Sequence, residues 1–187
     1  MFHITFSMMW RMVKMLWPLW VFCALVIFIE IVVILFKRLA NERRIRNQFN
    51  AGSRWLSDQE LLYWLRGMKP WEFEEYIAEL FNKLGFKARK VGGGYDRGVD
   101  VVAEKDGREH YIQCKKYFPK HQVVPADVRE FYGAIADHLA NGKAYFITTS
   151  TFTLEAEKFV EGKPMELWDG YRLTEYIHLA EKNKKAD

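Results

Sequence analysis

After residue 69, stretches in which hydrophobic residues follow the helical period are interspersed with stretches typical of β-strands. Between residues 71 and 84, apolar side chains stand three and four positions apart, which predicts a helix with one buried face. These positions are Phe73, Tyr76, Ile77, Leu80, Phe81 and Leu84. Gly85 is expected to end this helix, because glycine is common just after a helix C-terminus. A strand is predicted next, over residues 86–91.

A β-hairpin is predicted further along the chain. The Asp106-Gly107 pair suits its turn, because Asp-Gly readily adopts the positive φ angles that tight turns need. Asp100 begins the first predicted strand, and Gln113 and Lys115 lie on the second. Side chains alternate faces along a strand, so Gln113 and Lys115 point the same way, and strand pairing brings Asp100 close to both. A carboxylate, an amide oxygen and an ammonium group around one volume suit Mg²⁺ and a phosphate.

The rest of the pattern completes an α/β domain. A short helix over residues 56–65 opens with Ser57 and Glu60, the pair of a capping box. Pro125 begins a helix that extends to about residue 140. The other predicted elements are a strand over 143–149, a helix over 153–160, a strand over 165–168 and a helix over 173–182. This order predicts a mixed β-sheet flanked by helices, with the helix over 71–84 on one face and the crossover helix on the other.

An apolar run over residues 16–36 precedes this domain and has about the length of a transmembrane helix. A signal peptide is the competing interpretation, but the run is long for one and no small-x-small cleavage site follows it. More Lys and Arg follow the run than precede it. The positive-inside rule therefore predicts a single-pass membrane protein with its C-terminal domain in the cytoplasm. Glu30, inside the run, is open to two interpretations, a functional ionisable group or a helix-pairing contact.

Positive charge is concentrated next to the apolar run. The chain carries a formal net charge of +4. Residues 37–54 contain six Lys and Arg against one acidic residue, whereas residues 55–187 contain 20 basic and 22 acidic residues, a net of −2. The basic composition is therefore no evidence that the globular domain binds DNA. We interpret the basic run as a topology signal in preference to a site for lipid headgroups or nucleic acid.

The cysteines and histidines argue against several other classes of site. Cys23 lies in the apolar run and Cys114 in a predicted core strand, so no disulfide is expected and the domain suits a reducing compartment. The histidines lack the spacing of zinc ligands, and no Ser/His/Asp or Cys/His nucleophile set is apparent.

Six short motifs occur in a fixed order across residues 69–180. They are Phe73-Glu74, Leu84-Gly85-Phe86, Asp96-x-Gly98-Val99-Asp100, Gln113-x-Lys115, Phe146-Ile147-Thr148-Thr149-Ser150, and Leu167-Trp168-Asp169-Gly170 followed by Leu173. In this order and spacing they resemble the Mrr-like restriction endonuclease domain, a branch of the PD-(D/E)xK nuclease superfamily. The resemblance implies a restriction-endonuclease-like mixed sheet, which follows the transmembrane helix predicted from the apolar run. It also implies a prokaryotic protein, so the expected membrane is the bacterial inner membrane.

The resemblance also implies a role for each matching residue. Asp100 corresponds to the metal-binding aspartate, Lys115 to the active-site lysine, and Glu74 to a helix carboxylate often associated with the site. Gln113 takes the place of the glutamate in (D/E)xK, which removes one negative charge and should lower metal affinity. Asp100, Gln113 and Glu74 are therefore the expected ligands of Mg²⁺, with Mn²⁺ as a substitute.

Two residues keep alternative interpretations. From helical periodicity alone, Glu74 at the border of the apolar stripe is equally well an ordinary solvated glutamate or a carboxylate that needs a metal or a lysine as partner. Asp96 matches a family position, but a loop-capping aspartate is an equal alternative.

Two functions follow from the sequence. The first is a membrane-anchored, Mg²⁺-dependent endonuclease that hydrolyses phosphodiester bonds of double-stranded DNA, in prokaryotic defence against foreign or modified DNA. The alternative is a non-cleaving Mrr-like module that binds DNA or a partner at the membrane. The joint presence of Asp100, Gln113 and Lys115 favours the first, and the near-neutral charge of the domain favours the second.

The expected organisation has four parts. Residues 1–36 form a membrane segment, 37–68 a basic juxtamembrane helix or linker with a short helix, 69–182 the endonuclease domain and 183–187 a polar tail. A homodimer stays open, since the span contains no Gly-x-x-x-Gly motif that would argue for pairing.

Overall fold

The computed structural model describes residues 6–52, 57–91, 98–139 and 141–183. The chain divides into two units, Met1–Arg44 and Ile45–Asp187. Helix α1 spans Phe6–Gly52 and contains the predicted membrane segment. Its stretch Trp17–Lys37 is long and apolar enough to cross a membrane. Every side chain over residues 17–37 is exposed.

The second unit is a mixed β-sheet flanked by helices, as the sequence predicts. Its helices are α2 (Asp58–Gly67), α3 (Pro70–Lys83), α4 (Pro125–Ile135), α5 (Leu154–Val160) and α6 (Gly170–Asn183), with a 3₁₀ turn at Ala136–His138. Its strands are β1 (Lys87–Lys90), β2 (Val101–Lys105), β3 (Arg108–Lys115), β4 (Ala144–Thr148) and β5 (Met165–Trp168). The strands lie side by side in chain order.

Strand directions change in the middle of the sheet. Strands β1, β2 and β3 pair antiparallel, whereas β3, β4 and β5 pair parallel. Parallel neighbours need a crossover connection, which α4 supplies between β3 and β4 and α5 supplies between β4 and β5. The β2–β3 turn contains Asp106 and Gly107, both at positive φ, as the Asp-Gly pair predicts.

Two apolar clusters cover the two faces of the sheet. On one face, α2, α3 and α6 pack against side chains such as Val101, Ile112 and Ile147. On the other face, α4 and α5 pack against side chains such as Val102 and Phe146. The helix predicted over 71–84 and the crossover helix therefore lie on opposite faces of the sheet, as expected.

Helix ends account for the differences from the predicted boundaries. The Ser57–Glu60 capping box is present, with the Ser57 N–H donating to Glu60 Oε2 over 2.9 Å. The helix that begins at Pro125 ends at Ile135 and continues only as the 3₁₀ turn. Helix α6 begins at Gly170, earlier than predicted, because Oδ1 of Asp169 accepts the Arg172 N–H over 2.8 Å and caps the helix.

Candidate active site

The β2–β3 register brings Asp100 beside Gln113. Val101 pairs with Ile112, and the same antiparallel register extended by one residue sets Asp100 opposite Gln113. The Asp100 N–H donates to the Ile112 carbonyl over 2.9 Å, so the pairing does continue past the end of β2. Asp100 thus lies directly before β2, one residue outside the strand that the sequence predicts it to begin.

The Asp100 carboxylate is held by the backbone of the neighbouring strand. Its Oδ2 accepts the Cys114 N–H over 2.7 Å. The pKa of Asp100 is raised to about 6, chiefly by burial and in part by the nearby Glu74 charge. The hydrogen bond from Cys114 and the charges of Lys115 and Lys90 act in the opposite direction. A carboxylate with this pKa binds a cation readily, because a cation relieves the cost of its buried charge.

The Gln113 side chain is buried, with 8% of its surface exposed. Its Oε1 is buried and has no hydrogen-bond partner among the described residues. The Gly98 backbone lies against the Gln113 side-chain amide. Gly98 has φ +69, and a Cβ at this position would lie 2.8 Å from Gln113 Nε2. An acceptor buried without a donor is costly, and a bound cation is one way to satisfy it.

Lys115 is the last residue of β3, where the strand pairs with Thr148 of β4. It is partly exposed, and its ammonium favours the ionised form of Asp100. Strand alternation is as predicted, because Ile112 and Cys114 pack into the cluster beneath α3. Lys115 therefore ends the strand beside the carboxylate, where an ammonium can reach a phosphate at this edge of the sheet.

Glu74 approaches the same site from α3 and already has a lysine partner. Lys90 of β1 lies 3.0 Å from Glu74 Oε2, with 25% of the Lys90 side chain and 21% of the Glu74 side chain exposed. Glu74 is close enough to Asp100 to raise its pKa. The structure thus brings Glu74, Asp100, Gln113 and Lys115 together, and it adds Lys90.

Sequence reasoning missed Lys90 and the packing role of Gly98. Lys90 resembles any solvated lysine of an edge strand, and only the contact between α3 and β1 gives it a partner. The sequence did contain an indication for Gly98, because glycine often occurs where another group approaches the backbone closely. Asp96 lies outside the described residues.

Cys114 contributes its backbone and not its thiol. Burial raises the pKa of the Cys114 thiol well above its usual value, and the Asp100 and Glu74 charges act in the same direction. The neutral thiol is neither a nucleophile nor a metal ligand at neutral pH.

The residues present fit a magnesium ion better than zinc. Among the described residues there is no group of three or more His, Cys, Asp or Glu side chains that suits a metal. Mg²⁺, however, is bound through one or two carboxylates together with waters and substrate phosphates. Asp100, Glu74 and the unsatisfied Gln113 Oε1 match that donor set.

Comparison with protein families identifies the domain. A family model described as Restriction endonuclease (Mrr_cat) matches residues 65–177. The chain belongs to this restriction endonuclease family. The match covers α3, the whole sheet and most of α6, and so contains Glu74, Asp100, Gln113 and Lys115. No curated protein matched the sequence.

Solved structures show the same fold. The DNA modification-dependent restriction endonuclease AspBHI aligns over 70% of this chain with 16% identity and a TM-score of 0.53. The MspJI restriction endonuclease, in complex with a 27-mer oligonucleotide, aligns over 70% with 19% identity and a TM-score of 0.51. The alignment spans only 40% of the AspBHI chain and 32% of the MspJI chain.

Proposed function

We propose that this restriction endonuclease family member is a membrane-anchored, metal-dependent enzyme that cuts double-stranded DNA. The observation that carries the proposal is the pairing of Asp100, whose pKa is raised to about 6, with the buried and unsatisfied Gln113 Oε1. Burying an ionised carboxylate and burying an unpaired amide oxygen both cost folding free energy. One bound cation would interact with both oxygens and offset that cost.

Asp100, Gln113 and Glu74 would hold Mg²⁺, and Mn²⁺ would substitute for it. When bound, the ion supplies charge stabilisation on the phosphoryl oxygens and a water of lowered pKa. Asp100 must be ionised to bind it, which the Cys114 N–H and the lysine charges favour. The Lys90 ammonium forms an ion pair with Glu74, 3.0 Å from its Oε2, so this carboxylate has a cationic partner before any metal binds.

Lys115 is the residue best placed to act on the phosphate itself. Lys115 is the last residue of β3, lies beside Asp100 and is partly exposed. It would orient the attacking water and stabilise the negative charge that develops on the phosphoryl oxygens. A cation at this position acts in the transition state as well as in substrate binding, so its loss should lower kcat more than it raises KM.

Foreign or modified DNA is the substrate that family membership favours. AspBHI is described as a DNA modification-dependent restriction endonuclease, and the MspJI structure contains an oligonucleotide. These names support DNA as the proposed substrate and methylation as the modification to test first.

A membrane anchor is proposed for α1. The 21 residues of Trp17–Lys37 span roughly 30 Å as a helix, the thickness of a bilayer's hydrocarbon core. Their side chains are all exposed, and exposed apolar surface is unfavourable in water but not in lipid. The excess of Lys and Arg after the stretch favours the cytoplasmic side of the bacterial inner membrane for the nuclease domain.

Plasmid cleavage by the full-length protein in detergent micelles tests the enzyme. Reactions contain Mg²⁺, Mn²⁺ or EDTA, with methylated and unmethylated plasmid, and compare wild type with Asp100→Ala and Lys115→Ala. Asp137→Ala and Lys87→Ala, two exposed positions away from the site, are the matched controls. Metal-dependent nicking by wild type and both controls, lost in Asp100→Ala and Lys115→Ala, is expected.

Two other results would contradict parts of the proposal. Folded protein that binds duplex DNA and cuts none of these substrates would favour the non-cleaving binding module. Alkaline carbonate extraction tests the anchor, because an integral membrane protein stays in the pellet. Release of the protein into the carbonate supernatant would exclude a membrane-spanning α1.

A further inference from the structure

The segment that follows Lys115 forms a fixed turn at the same edge of the sheet. We call residues 116–121 the post-lysine turn. Buried hydroxyls hold its backbone: Thr149 Oγ1 donates to the Tyr117 carbonyl over 2.8 Å, and Ser150 Oγ donates to the Phe118 carbonyl over 3.2 Å. The His121 N–H donates to the same Phe118 carbonyl over 2.9 Å. Because β3 and β4 are parallel, both strands end at this edge, beside the proposed active site.

The turn presents an aromatic ring to solvent. Phe118 is 67% exposed although its own carbonyl is held by two donors. Thr149 and Ser150, which anchor the turn, are 0% and 3% exposed. A buried polar anchor beneath an exposed phenylalanine holds its backbone in place. Such pre-organisation lowers the entropy cost of a contact with a partner.

The turn also lies in a basic stretch of a domain whose net charge is slightly negative. Residues 110–126 contain three lysines and no Asp or Glu, whereas residues 55–187 carry a net charge of −2. Lys116 Nζ donates to the Arg66 carbonyl at the end of α2 over 2.8 Å, so this lysine has a structural contact. Lys120 is exposed beside Phe118. Positive charge is thus placed where a DNA phosphate would approach Lys115.

We infer that the post-lysine turn positions duplex DNA for cleavage, with Lys120 contacting a backbone phosphate and Phe118 packing on a sugar or base edge. The inference rests on the proposed nuclease function and adds the residues that dock the substrate. Lysine is a common phosphate contact, and exposed aromatic or apolar side chains pack against bases and sugars. An anionic lipid surface has similar chemistry, but the turn lies beside Asp100 and Lys115, the residues that would act on a phosphodiester.

Fluorescence anisotropy of a labelled duplex with the full-length protein in micelles tests the inference, in EDTA so that no cleavage occurs. We expect Phe118→Ala to weaken binding about tenfold, because the apolar contact with a sugar or base edge is lost. Phe118→Trp should restore binding. Lys120→Ala should reduce the slope of log K against log salt by about 0.9, the value for one phosphate contact. Leu179→Ala and Arg108→Ala, both exposed and distant from this edge, should match wild type.

Steady-state cleavage separates docking from chemistry. For Phe118→Ala and Lys120→Ala we expect KM to rise while kcat at saturating DNA stays near wild type, unlike Lys115→Ala. If wild type binds and cuts DNA and both turn variants behave like it, the inference is wrong and the nuclease function stands. If wild type neither binds nor cuts any duplex, both proposals fail together.

Hydrogen exchange of the 116–121 peptide distinguishes DNA from lipid. The full-length protein is placed in nanodiscs of phosphatidylcholine with or without phosphatidylglycerol, and the duplex is then added. Protection by the duplex in both lipids supports the inference. Protection by phosphatidylglycerol alone, with none from the duplex, would overturn it and assign the turn to the membrane surface.

Discussion

The backbone N–H of Cys114 donates a 2.7 Å hydrogen bond to Oδ2 of Asp100. This bond joins the two strands of the hairpin and orients the carboxylate, leaving Oδ1 for another partner. It also stabilises the ionised form, which burial opposes. Asp100 is thus held ready for a cation by a strand whose alternate side chains, Gln113 and Lys115, lie at the same site.

The raised pKa of Asp100 makes stability depend on pH. The folded-state pKa is about 6, above the ordinary value of 3.8, so the folded protein holds a proton that the unfolded chain releases between these values. The stability contributed by the protonated group is complete below about pH 4 and is lost as pH rises through about 6. The Asp100→Asn variant has a side-chain amide at this position, which does not ionise. In EDTA it should unfold at a higher temperature than wild type at pH 8, with the difference shrinking toward pH 4.

Thermal unfolding followed by circular dichroism on the full-length protein in micelles measures this difference. Asp137→Asn, at an exposed position, serves as the control and should track wild type at every pH. Added Mg²⁺ should stabilise wild type at pH 8 and leave Asp100→Asn nearly unchanged. A constant difference between Asp100→Asn and wild type from pH 4 to pH 8 would contradict a buried, ionised Asp100.

Gly98→Ala should disable the site more than it destabilises the fold. Alanine at a positive φ costs roughly 1–2 kcal/mol. Gly107 offers a matched control, because its φ of +71 is close to the +69 of Gly98 but nothing lies within 4 Å of the place that an alanine methyl group would take. At Gly98 the methyl group would also displace the Gln113 amide, 2.8 Å away. We expect similar losses of thermal stability but at least tenfold lower cleavage only in Gly98→Ala.

Equal cleavage by Gly98→Ala and Gly107→Ala, measured at saturating Mg²⁺ and DNA, would show that the position of Gln113 does not matter for the reaction. In that case the short approach between Gly98 and Gln113 would be a packing feature alone.

Most of the fold could be predicted from the sequence because local patterns agree with tertiary packing. The spacing of Phe73, Ile77 and Phe81 predicts the α3 face that packs on the sheet, and the Asp-Gly turn fixes the hairpin register. That register alone brings Asp100 to Gln113. Agreement between local preference and global packing is what allows such a prediction to succeed.

The remaining features depend on contacts that no local pattern records. The ion pair between Glu74 and Lys90 joins a helix to an edge strand, and either residue by itself is consistent with a solvated charge. The hydrogen bonds from Thr149 and Ser150 to the post-lysine turn depend on the β3–β4 pairing. These two strands are joined by a long crossover connection. Hydroxyl-to-carbonyl bonds between distant segments have no periodicity to reveal them.

Gln113→Glu should tighten metal binding. The substitution replaces an unsatisfied amide oxygen with a carboxylate beside Asp100, so Mg²⁺ would meet one more negative charge. We expect the Mg²⁺ concentration for half-maximal thermal stabilisation to fall about tenfold. Without metal, the variant should be less stable than wild type at pH 8, because two neighbouring carboxylates repel.

Gln59→Glu, at an exposed position at the start of α2, adds the same charge away from the site and should leave metal affinity near wild type. Titration of the full-length protein with Mg²⁺ in the absence of DNA isolates metal binding from substrate binding. Unchanged Mg²⁺ affinity in Gln113→Glu would remove Gln113 from the proposed ligand set.

Lys90→Met tests whether Lys90 competes with the metal for Glu74. The Nζ–Oε2 distance is 3.0 Å, and the pair is only partly buried, so its contribution is about 1 kcal/mol or less. Removing the ammonium frees Glu74 and takes a positive charge away from Asp100. If Glu74 is a ligand, the Mg²⁺ concentration for half-maximal cleavage should fall, by up to roughly fivefold.

Lys143→Met is the matched control, because Lys143 forms a comparable ion pair, 2.8 Å from Glu166, at the opposite end of the sheet. Its Mg²⁺ requirement should equal that of wild type. Glu74→Gln completes the test: it should raise the Mg²⁺ requirement and abolish the effect of Lys90→Met in the double variant. Lower cleavage by Lys90→Met at every Mg²⁺ concentration, with no change in the half-maximal point, would instead show that Lys90 positions Glu74 and does not compete with the ion.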